Sequence, residues 1–325
     1  LNMAVRAGQE ILAQLIAQCD VLVENFKVGT LENWGFGNDW LKDHAPRVIR
    51  CSITGYGATG PKAGLPGYDF ILQAESGLMS ITGETDGEPM KYGVAIVDVC
   101  TGMLASNSIL AALEARHRTG RGQHVEVSLF DTSLAMLANV ASNHLVSGRD
   151  ARRFGNGHPN IVPYTTYPVS DGRIAVAVGN DAQFAKFAVL IGKPEWASDV
   201  RYTKNPERVA NREALDAGIA QCLKGDTAQS WLAKLTAAGI PCGRINSVEQ
   251  ALNDPHTVAR EMVRSVPHPT AGEVKMLGMP YRFSETPASI RRAPPTLGQH
   301  TEQVLREALK LSDARIAELR AAKVI

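Results

Sequence analysis

Residues 48–60 read VIRCSITGYGATG, a short apolar run that passes directly into a loop of glycines. Ile49 and Ile53 are β-branched residues of the kind that favour strands, and the glycines end the run. A second apolar run lies upstream at Val21–Val23, and helical spacing of apolar residues separates the two. Short strands that alternate with helices are typical of a mostly parallel sheet covered by helices. We therefore expect residues 1–148 to form an α/β domain.

The glycine loop matches a dinucleotide-binding pattern, since Gly55 to Gly60 read G-x-G-x-x-G after a strand. That fingerprint also needs a helix that begins within the loop and holds the pyrophosphate at its N-terminus. Pro61, Gly64 and Pro66 disfavour an early helix. We therefore favour a glycine-rich active-site or structural loop over an NAD site.

The composition excludes several classes of partner. The 325 residues include 34 Lys and Arg against 33 Asp and Glu, a net charge of +1, so the chain has no overall field for nucleic acid or an anionic membrane. The five cysteines form no C-x-x-C pair, and the histidines show no metal-ligand spacing, so we expect reduced thiols and no metal. We find no uninterrupted apolar run of roughly 18 residues and no leader, and expect a cytoplasmic protein or one from a reducing organelle matrix.

After residue 148 the alternation of short strands with helices ends. A hairpin is expected across Asp171-Gly172, followed by two helices, the second capped by Asp226, and Ser312 is expected to cap the last helix. We predict four segments: the large domain 1–148, a linker with a glycine loop at 149–160, a small α+β domain at 161–266, and a C-terminal segment, 267–325, that returns to the large domain.

Asp98 stands at the predicted start of a long helix that ends at Gly120. A carboxylate in this place is most simply a helix N-cap. The free backbone N–H groups of such a helix start could also receive an oxyanion, and a well-placed carboxylate gains about 7–11 kcal/mol from positioning. The residues alone favour the cap and leave a catalytic role open.

Two further stretches allow two interpretations each. Asn25 and Phe26 end a strand of the expected sheet, where ligands bind, but an aromatic ring there could equally fill the core. Gly155 to His158 form a second glycine-rich loop, which by itself favours a plain linker hinge.

Several stretches together, spread over nearly the whole chain, resemble the class III CoA-transferases of the CaiB–BaiF type. They are VLVENF at 21–26, SITGYG at 52–57 with TGP at 59–61, GYD at 67–69, SGLMSITG at 76–83, TGRGQ at 119–123 and LGQHT at 297–301. The stretches CSITGYG at 51–57 and IVPY at 161–164 look closest to the branch that handles dicarboxylic acids such as succinate and glutarate.

This resemblance implies a reaction and roles for particular residues. Asp98 would be the nucleophile, forming a mixed anhydride with the acyl group and then an aspartyl-CoA thioester, with acyl-CoA as substrate and no permanently bound cofactor. Tyr56 would lie near the pantetheine and the reacting centre. The loop that includes Gly155, Gly157 and His158 would cover the site, with Gly157 at the chemistry.

For the remaining parts, the resemblance implies that Asn25 and Phe26 line the CoA nucleotide pocket. It also implies a Rossmann-like large domain, a second smaller domain and an interlocked homodimer. Many family members carry an arginine where this chain has Asn33, and Lys27 lies nearby. The family normally begins with a strand-and-helix unit that this sequence lacks, so we expect the chain to miss part of its N-terminal CoA-binding region.

Two alternatives remain. The superfamily includes α-methylacyl-CoA racemases, in which a histidine stands at the position of Tyr68 and exchanges a proton; a tyrosine phenol is too weak an acid for this near neutral pH. The other alternative is a CoA-binding relative without catalytic activity.

Overall fold

The computed structural model describes all 325 residues. The chain divides into two compact units, of which the first is Leu1–Arg153 with Pro295–Ile325 and the second is Phe154–Pro294. The boundary falls inside the stretch that we expected to be a linker.

The helices are α1 Arg6–Ile16, α2 Thr30–Asn33, α3 Asn38–His44, α4 Asp69–Glu75, α5 Ile96–Thr119, α6 Leu129–Met136, α7 Ala138–Ser147, α8 Asp181–Leu190, α9 Asn205–Ala210, α10 Arg212–Leu223, α11 Ala228–Ala237, α12 Val248–Leu252, α13 Pro255–Ala259, α14 Thr301–Glu307 and α15 Asp313–Ala321. The strands are β1 Val21–Glu24, β2 Ile49–Thr54, β3 His124–Ser128, β4 Tyr164–Val169, β5 Gly172–Ala177, β6 Cys242–Arg244, β7 Val263–His268 and β8 Gly272–Leu277.

The first unit is built on a parallel sheet in the order β1-β2-β3. Cys51 lies between Val23 and Val125 in this register, and it is fully buried together with Ile49. The apolar strand pattern therefore predicted this sheet correctly, and the fold is mixed α/β with a parallel sheet.

The prolines of the glycine loop predicted that no helix starts within it, and this prediction is confirmed. Residues 55–68 contain no helix, and α4 begins only at Asp69. The structure thus lacks the helix start that a dinucleotide site of this type requires at the loop.

The long helix α5 begins two residues earlier than expected, at Ile96, with Ala95 in the cap position and no side-chain cap there. Asp98 is the third helical residue, so the interpretation of Asp98 as N-cap is wrong. At the other end Gly120 closes the helix with a φ of 73°, a left-handed conformation that suits glycine, as predicted.

By length and apolarity alone, α5 could cross a membrane, although polar residues such as Asp98 and Asn107 interrupt its apolar run. In the structure it packs against β2 and β3 and against the neighbouring helices α4 and α6. One face of the helix is buried, while Met103 and Leu110 on the rest of its surface are exposed.

The second unit holds an antiparallel sheet in the order β4-β5-β6, and a separate hairpin of β7 and β8. β4 and β5 form a hairpin as predicted, but its turn residues are Ser170 and Asp171, because Gly172 already pairs with Val169. Thr227 rather than Asp226 caps α11, because the Thr227 hydroxyl accepts the Ser230 amide. Ser312 caps α15 as expected.

The C-terminal segment differs from its expected bounds. Residues 267–294 group with the second unit, and the return to the first unit starts at Pro295. The reason is that β7 begins before residue 267 and pairs with β8 beyond it, so the hairpin spans the expected boundary.

Candidate active site

A cavity of about 600 Å³ opens in the first unit at the carboxyl ends of β1 and β2. Its walls are residues 25–28, 53–57 and 64–69, together with Asp98 and Leu129. In a parallel α/β sheet this edge is where ligands bind. The cavity brings together four residues singled out in the sequence: Asn25, Phe26, Tyr56 and Asp98.

The Asp98 carboxylate belongs to the first turn of α5 and faces the cavity. Its pKa is raised above the ordinary aspartate value, first by burial and then by the neighbouring charge of Asp69. A more basic carboxylate is a better nucleophile as long as it remains ionised.

Asp69 caps α5 from outside the helix. Its Oδ2 accepts the backbone N–H of Val97 at 2.7 Å and that of Asp98 at 3.2 Å. The remaining early donor, the Ile96 N–H, bonds to the Val94 carbonyl at 2.8 Å. The expectation that this helix start offers free N–H groups to an oxyanion is therefore wrong.

Asp69 is itself held in place. The Gln73 amide nitrogen donates to Asp69 Oδ1, and the Gln73 amide oxygen accepts the Tyr92 N–H at 2.8 Å. Gln73 is only 2% exposed, so solvent does not compete for these bonds. The capping carboxylate is thus anchored to a buried amide.

The turn after β1 is fixed by the buried carboxylate of Glu24. Its Oε2 accepts the Phe26 N–H at 3.0 Å, and its Oε1 accepts from Arg50 Nη2 at 2.9 Å and from Ser52 Oγ at 2.5 Å. Phe26 lies edge-on to Trp34, with ring centroids 5.2 Å apart, and remains 44% exposed. The ring therefore lines the cavity and does not fill the core.

Tyr56 is hydrogen-bonded to an ion pair of Lys62 and Glu75 beside the cavity. Its hydroxyl donates to Glu75 Oε2 at 3.0 Å, Glu75 forms an ion pair with Lys62, and the Lys62 ammonium lies 5.1 Å from the Tyr56 ring centroid. Burial first, and then the Glu75 carboxylate, raise the pKa of Tyr56. The phenol therefore remains a hydrogen-bond donor at neutral pH.

Lys27 is the one cationic side chain among the residues that line the cavity. It is exposed and has no ion-pair partner in the chain. The two carboxylates of Asp69 and Asp98 share the same cavity, so its wall carries both signs of charge.

Gly155, Gly157 and His158 belong to the second unit. Their loop is held locally, because Gly157 N–H bonds to the Phe154 carbonyl at 2.8 Å and His158 N–H bonds to the Tyr164 carbonyl at 3.0 Å. The glycines therefore sit in an ordered turn of that unit.

Sequence reasoning missed the roles of Asp69 and Glu24. Asp69 appeared only within the GYD match at 67–69, and Glu24 only within the match at 21–26. Both act on backbone amides, one of them 28 residues away, and no local spacing signals such a bond. The available hint was position alone: Glu24 is an acidic residue at the end of an apolar strand, and Asp69 is one at the start of a helix.

The parallel sheet, the cavity at its carboxyl edge and the carboxylate in the first turn of a helix define an α/β protein with a candidate ligand site. A family model described as CoA-transferase family III matches residues 1–301. The chain belongs to this family and is, by family, a CoA-transferase.

The curated relatives include the succinyl-CoA:glutarate CoA-transferase of Homo sapiens, 37% identical over all of this chain and 74% of the relative. They also include a succinate–glutarate CoA-transferase of Agrobacterium fabrum, 41% identical over 92% of this chain and 75% of the relative. Among solved structures, a CAIB/BAIF family protein from Brucella suis has a TM-score of 0.82 and 42% identity, and the match covers 94% of this chain and 80% of that one.

Proposed function

We propose that this protein transfers coenzyme A from an acyl-CoA donor to a carboxylic acid, with Asp98 as the covalent nucleophile. The observation that carries the proposal is the Asp98 carboxylate on the wall of a cavity that also exposes Asn25, Phe26 and Tyr56. Burial and the neighbouring Asp69 make that carboxylate more basic than usual.

The steps balance without an external reagent. The Asp98 carboxylate attacks the thioester carbonyl, CoA thiolate leaves, and a mixed anhydride forms. The thiolate then attacks the aspartyl carbonyl, which releases the donor acid and leaves an aspartyl-CoA thioester. The acceptor carboxylate attacks this thioester, and the freed thiolate takes up the acceptor acyl group, which restores Asp98.

The surrounding residues have separate tasks in this proposal. Asn25 and Phe26 border the nucleotide of CoA, and Lys27 pairs with a CoA phosphate. The Tyr56 phenol, kept protonated beside Glu75, lies near the reacting thioester. No step requires a bound metal or a resident cofactor.

The acceptor in this proposal is a dicarboxylic acid. The curated relatives named above act on succinyl-CoA and glutarate by their names, and they match all or nearly all of this chain. A further relative from Chloroflexus aurantiacus is named as a succinyl-CoA–D-citramalate CoA-transferase. Dicarboxylates therefore form the class to test first.

By the resemblance to the family, we also propose that Gly155 to His158 cover the reacting centre and that two subunits interlock. Loss of water from the site is a physical requirement, because an acyl anhydride in an open site hydrolyses. Light scattering of the purified protein tests the homodimer. The five free thiols suit a reducing compartment.

The decisive experiment traps the intermediate. The protein is incubated with succinyl-CoA, treated with hydroxylamine or borohydride, and mapped by mass spectrometry, with the Asp98→Asn variant as control. We expect the modification at Asp98 and none in the variant. A modification elsewhere, in a sample that exchanges CoA between acids, rejects the mechanism.

A further inference from the structure

Asp69 and Asp98 lie on different helices, α4 and α5, yet a single carboxylate oxygen of Asp69 holds the backbone of Asp98. The same oxygen holds the amide of Val97, which is fully buried. The first turn of α5 is thus tied to a side chain of another element, at the point where the Asp98 carboxylate enters the cavity.

The hydrogen-bond chain behind Asp69 has a fixed direction. The Tyr92 N–H donates to the oxygen of the Gln73 amide, and the nitrogen of that amide donates to Asp69 Oδ1. Gln73 cannot turn its amide over, because its NH₂ would then face the Tyr92 N–H. This series of hydrogen bonds ends at residue 69, where both terminal atoms of the side chain must accept hydrogen bonds. A carboxylate has two accepting oxygens, whereas an amide has only one.

We propose that Asp69 is a positioning residue of the reaction: it fixes the backbone from which Asp98 attacks and keeps a negative charge beside the nucleophile. The inference rests on the proposed function of Asp98. Asp69 itself forms no bond to substrate in this account. It acts through the two amides that it binds.

The size of the effect follows from the geometry of attack. A displacement of about 1 Å in a reacting group costs on the order of 100-fold in rate. Without its partner, the first turn of α5 would leave two N–H groups without an acceptor, one of them on the fully buried Val97, and the helix start would fray or shift. Binding of acyl-CoA, which the proposed function assigns to Asn25, Phe26 and Lys27, would be little affected.

The test uses the full chain and two variants. Asp69→Asn keeps the size of the side chain but sets an NH₂ group against the Gln73 NH₂. The double variant Asp69→Asn with Gln73→Glu restores every hydrogen bond, because the new carboxylate at residue 73 accepts from the Tyr92 N–H and from the NH₂ group of residue 69. The double variant also moves the negative charge away from Asp98. Asp39→Asn, an exposed carboxylate at the start of α3, is the matched control.

Four quantities are measured: the single-turnover rate of Asp98 acylation by succinyl-CoA, the pH profile of this rate, the steady-state KM for succinyl-CoA, and hydrogen–deuterium exchange of residues 94–100. For Asp69→Asn we expect a rate lower by roughly 10- to 100-fold, an unchanged KM and faster exchange. The double variant should recover most of the lost rate and the slow exchange. In both, the acid limb of the profile should move to lower pH, because the charge beside Asp98 has gone or moved.

The proposal is overturned if Asp69→Asn acylates at the wild-type rate. It is also overturned if the double variant regains slow exchange and no rate, or if neither variant folds, because Asp69 would then act only in folding. Failure of the proposed function looks different: wild-type Asp98 would carry no label, while the exchange data would still report whether Asp69 holds α5.

Discussion

The backbones of Gly55 and Gly67 touch. A Cβ atom on Gly55 would lie 2.7 Å from the Cα of Gly67, and one on Gly67 would lie 2.6 Å from the Cα of Gly55. Both residues line the cavity, so the contact closes the glycine loop upon itself at the wall of the site. The glycines are needed here for close packing of two backbone segments, and not for a phosphate-binding helix start.

Gly67→Ala should therefore destabilise the first unit and disturb the cavity. We expect a loss of about 1–3 kcal/mol in the free energy of unfolding, the usual cost of forcing an extra methyl group into packed structure. Urea denaturation of the full chain measures it. Gly93→Ala is the matched control, since a Cβ there meets nothing within 4 Å, and equal stability of the two variants would contradict the close approach.

The sheet could be predicted from the sequence because its information is local. Ile49 and Cys51 belong to an apolar run bounded by turn residues, and each becomes fully buried. The start of α5 could not be predicted in the same way. Ile96 and Val97 look like strand residues, and the cap that allows them to be helical comes from Asp69.

The candidate site likewise has features that the sequence predicts and features that arise only in the folded chain. Asn25, Phe26, Tyr56 and Asp98 line one cavity, because the motifs that contain them lie at the carboxyl ends of strands or at a helix start. The direction of the hydrogen bonds at Asp69 follows from three elements that meet only in the folded chain. The i, i+4 spacing of Asp69 and Gln73 on α4 is a local signal, but no spacing rule connects this pair to Tyr92 or Val97.

Arg208 is the largest fully buried side chain of the second unit, and its loss should unfold that unit readily. Its guanidinium donates to the carbonyls of Val162 and Tyr202 at 2.7 and 2.8 Å and to Asp181 at 2.9 Å. Arg208→Met leaves the two carbonyls without this donor and Asp181 with Lys204 alone, and we expect a loss of about 1–3 kcal/mol for each carbonyl that stays unpaired. Thermal unfolding measures the effect.

The control for this variant is Lys204→Ala, because Lys204 pairs with the same Asp181 at 3.4 Å but is 68% exposed. An exposed ion pair contributes about 0–1 kcal/mol. If both variants lose the same small amount of stability, burial of the guanidinium is not what stabilises the second unit.

The pH dependence of transfer should reflect the raised pKa of Asp98. Only the ionised carboxylate attacks, so kcat/KM should fall as the pH drops through the pKa of Asp98. Because burial and Asp69 raise that pKa, the fall should occur at a higher pH than for an ordinary aspartate. A profile that stays flat down to the ordinary aspartate range, in a protein shown to remain folded, would refute this assignment.

Glu24→Gln should weaken the binding of acyl-CoA and lower stability together. Both oxygens of Glu24 accept hydrogen bonds, from Arg50 and Ser52 on one side and from the Phe26 N–H on the other, so an amide sets an NH₂ against one of these donors. We expect a loss of about 1–3 kcal/mol in unfolding free energy and a higher KM for acyl-CoA. Glu32→Gln is the control, as Glu32 also bonds Arg50 but has a half-exposed side chain and no bond to Phe26.

Lys27→Ala should raise the KM for acyl-CoA and leave kcat nearly unchanged. Lys27 is the cationic side chain on the cavity wall, and no carboxylate of the chain neutralises it. A hydrogen bond to a charged group contributes about 1.5–3 kcal/mol, or roughly 10- to 100-fold in binding, and exposure to salt reduces this. Lys27→Arg should keep most of the affinity, and Lys42→Ala, an exposed lysine outside this cavity, should have no effect.

A comparison of KM values for different thioester substrates identifies the group that Lys27 binds. If it binds a CoA phosphate, the variant should bind CoA thioesters less tightly whatever their acyl group, and a pantetheine thioester that lacks the nucleotide should not distinguish it from the wild-type protein. If Lys27 instead pairs with the distal carboxylate of the acid, the variant should have a higher KM for succinyl-CoA and an unchanged KM for acetyl-CoA. An unchanged KM for every donor would mean that the phosphates of CoA meet a different cation, because a charge that contacts a bound phosphate cannot be removed without loss of affinity.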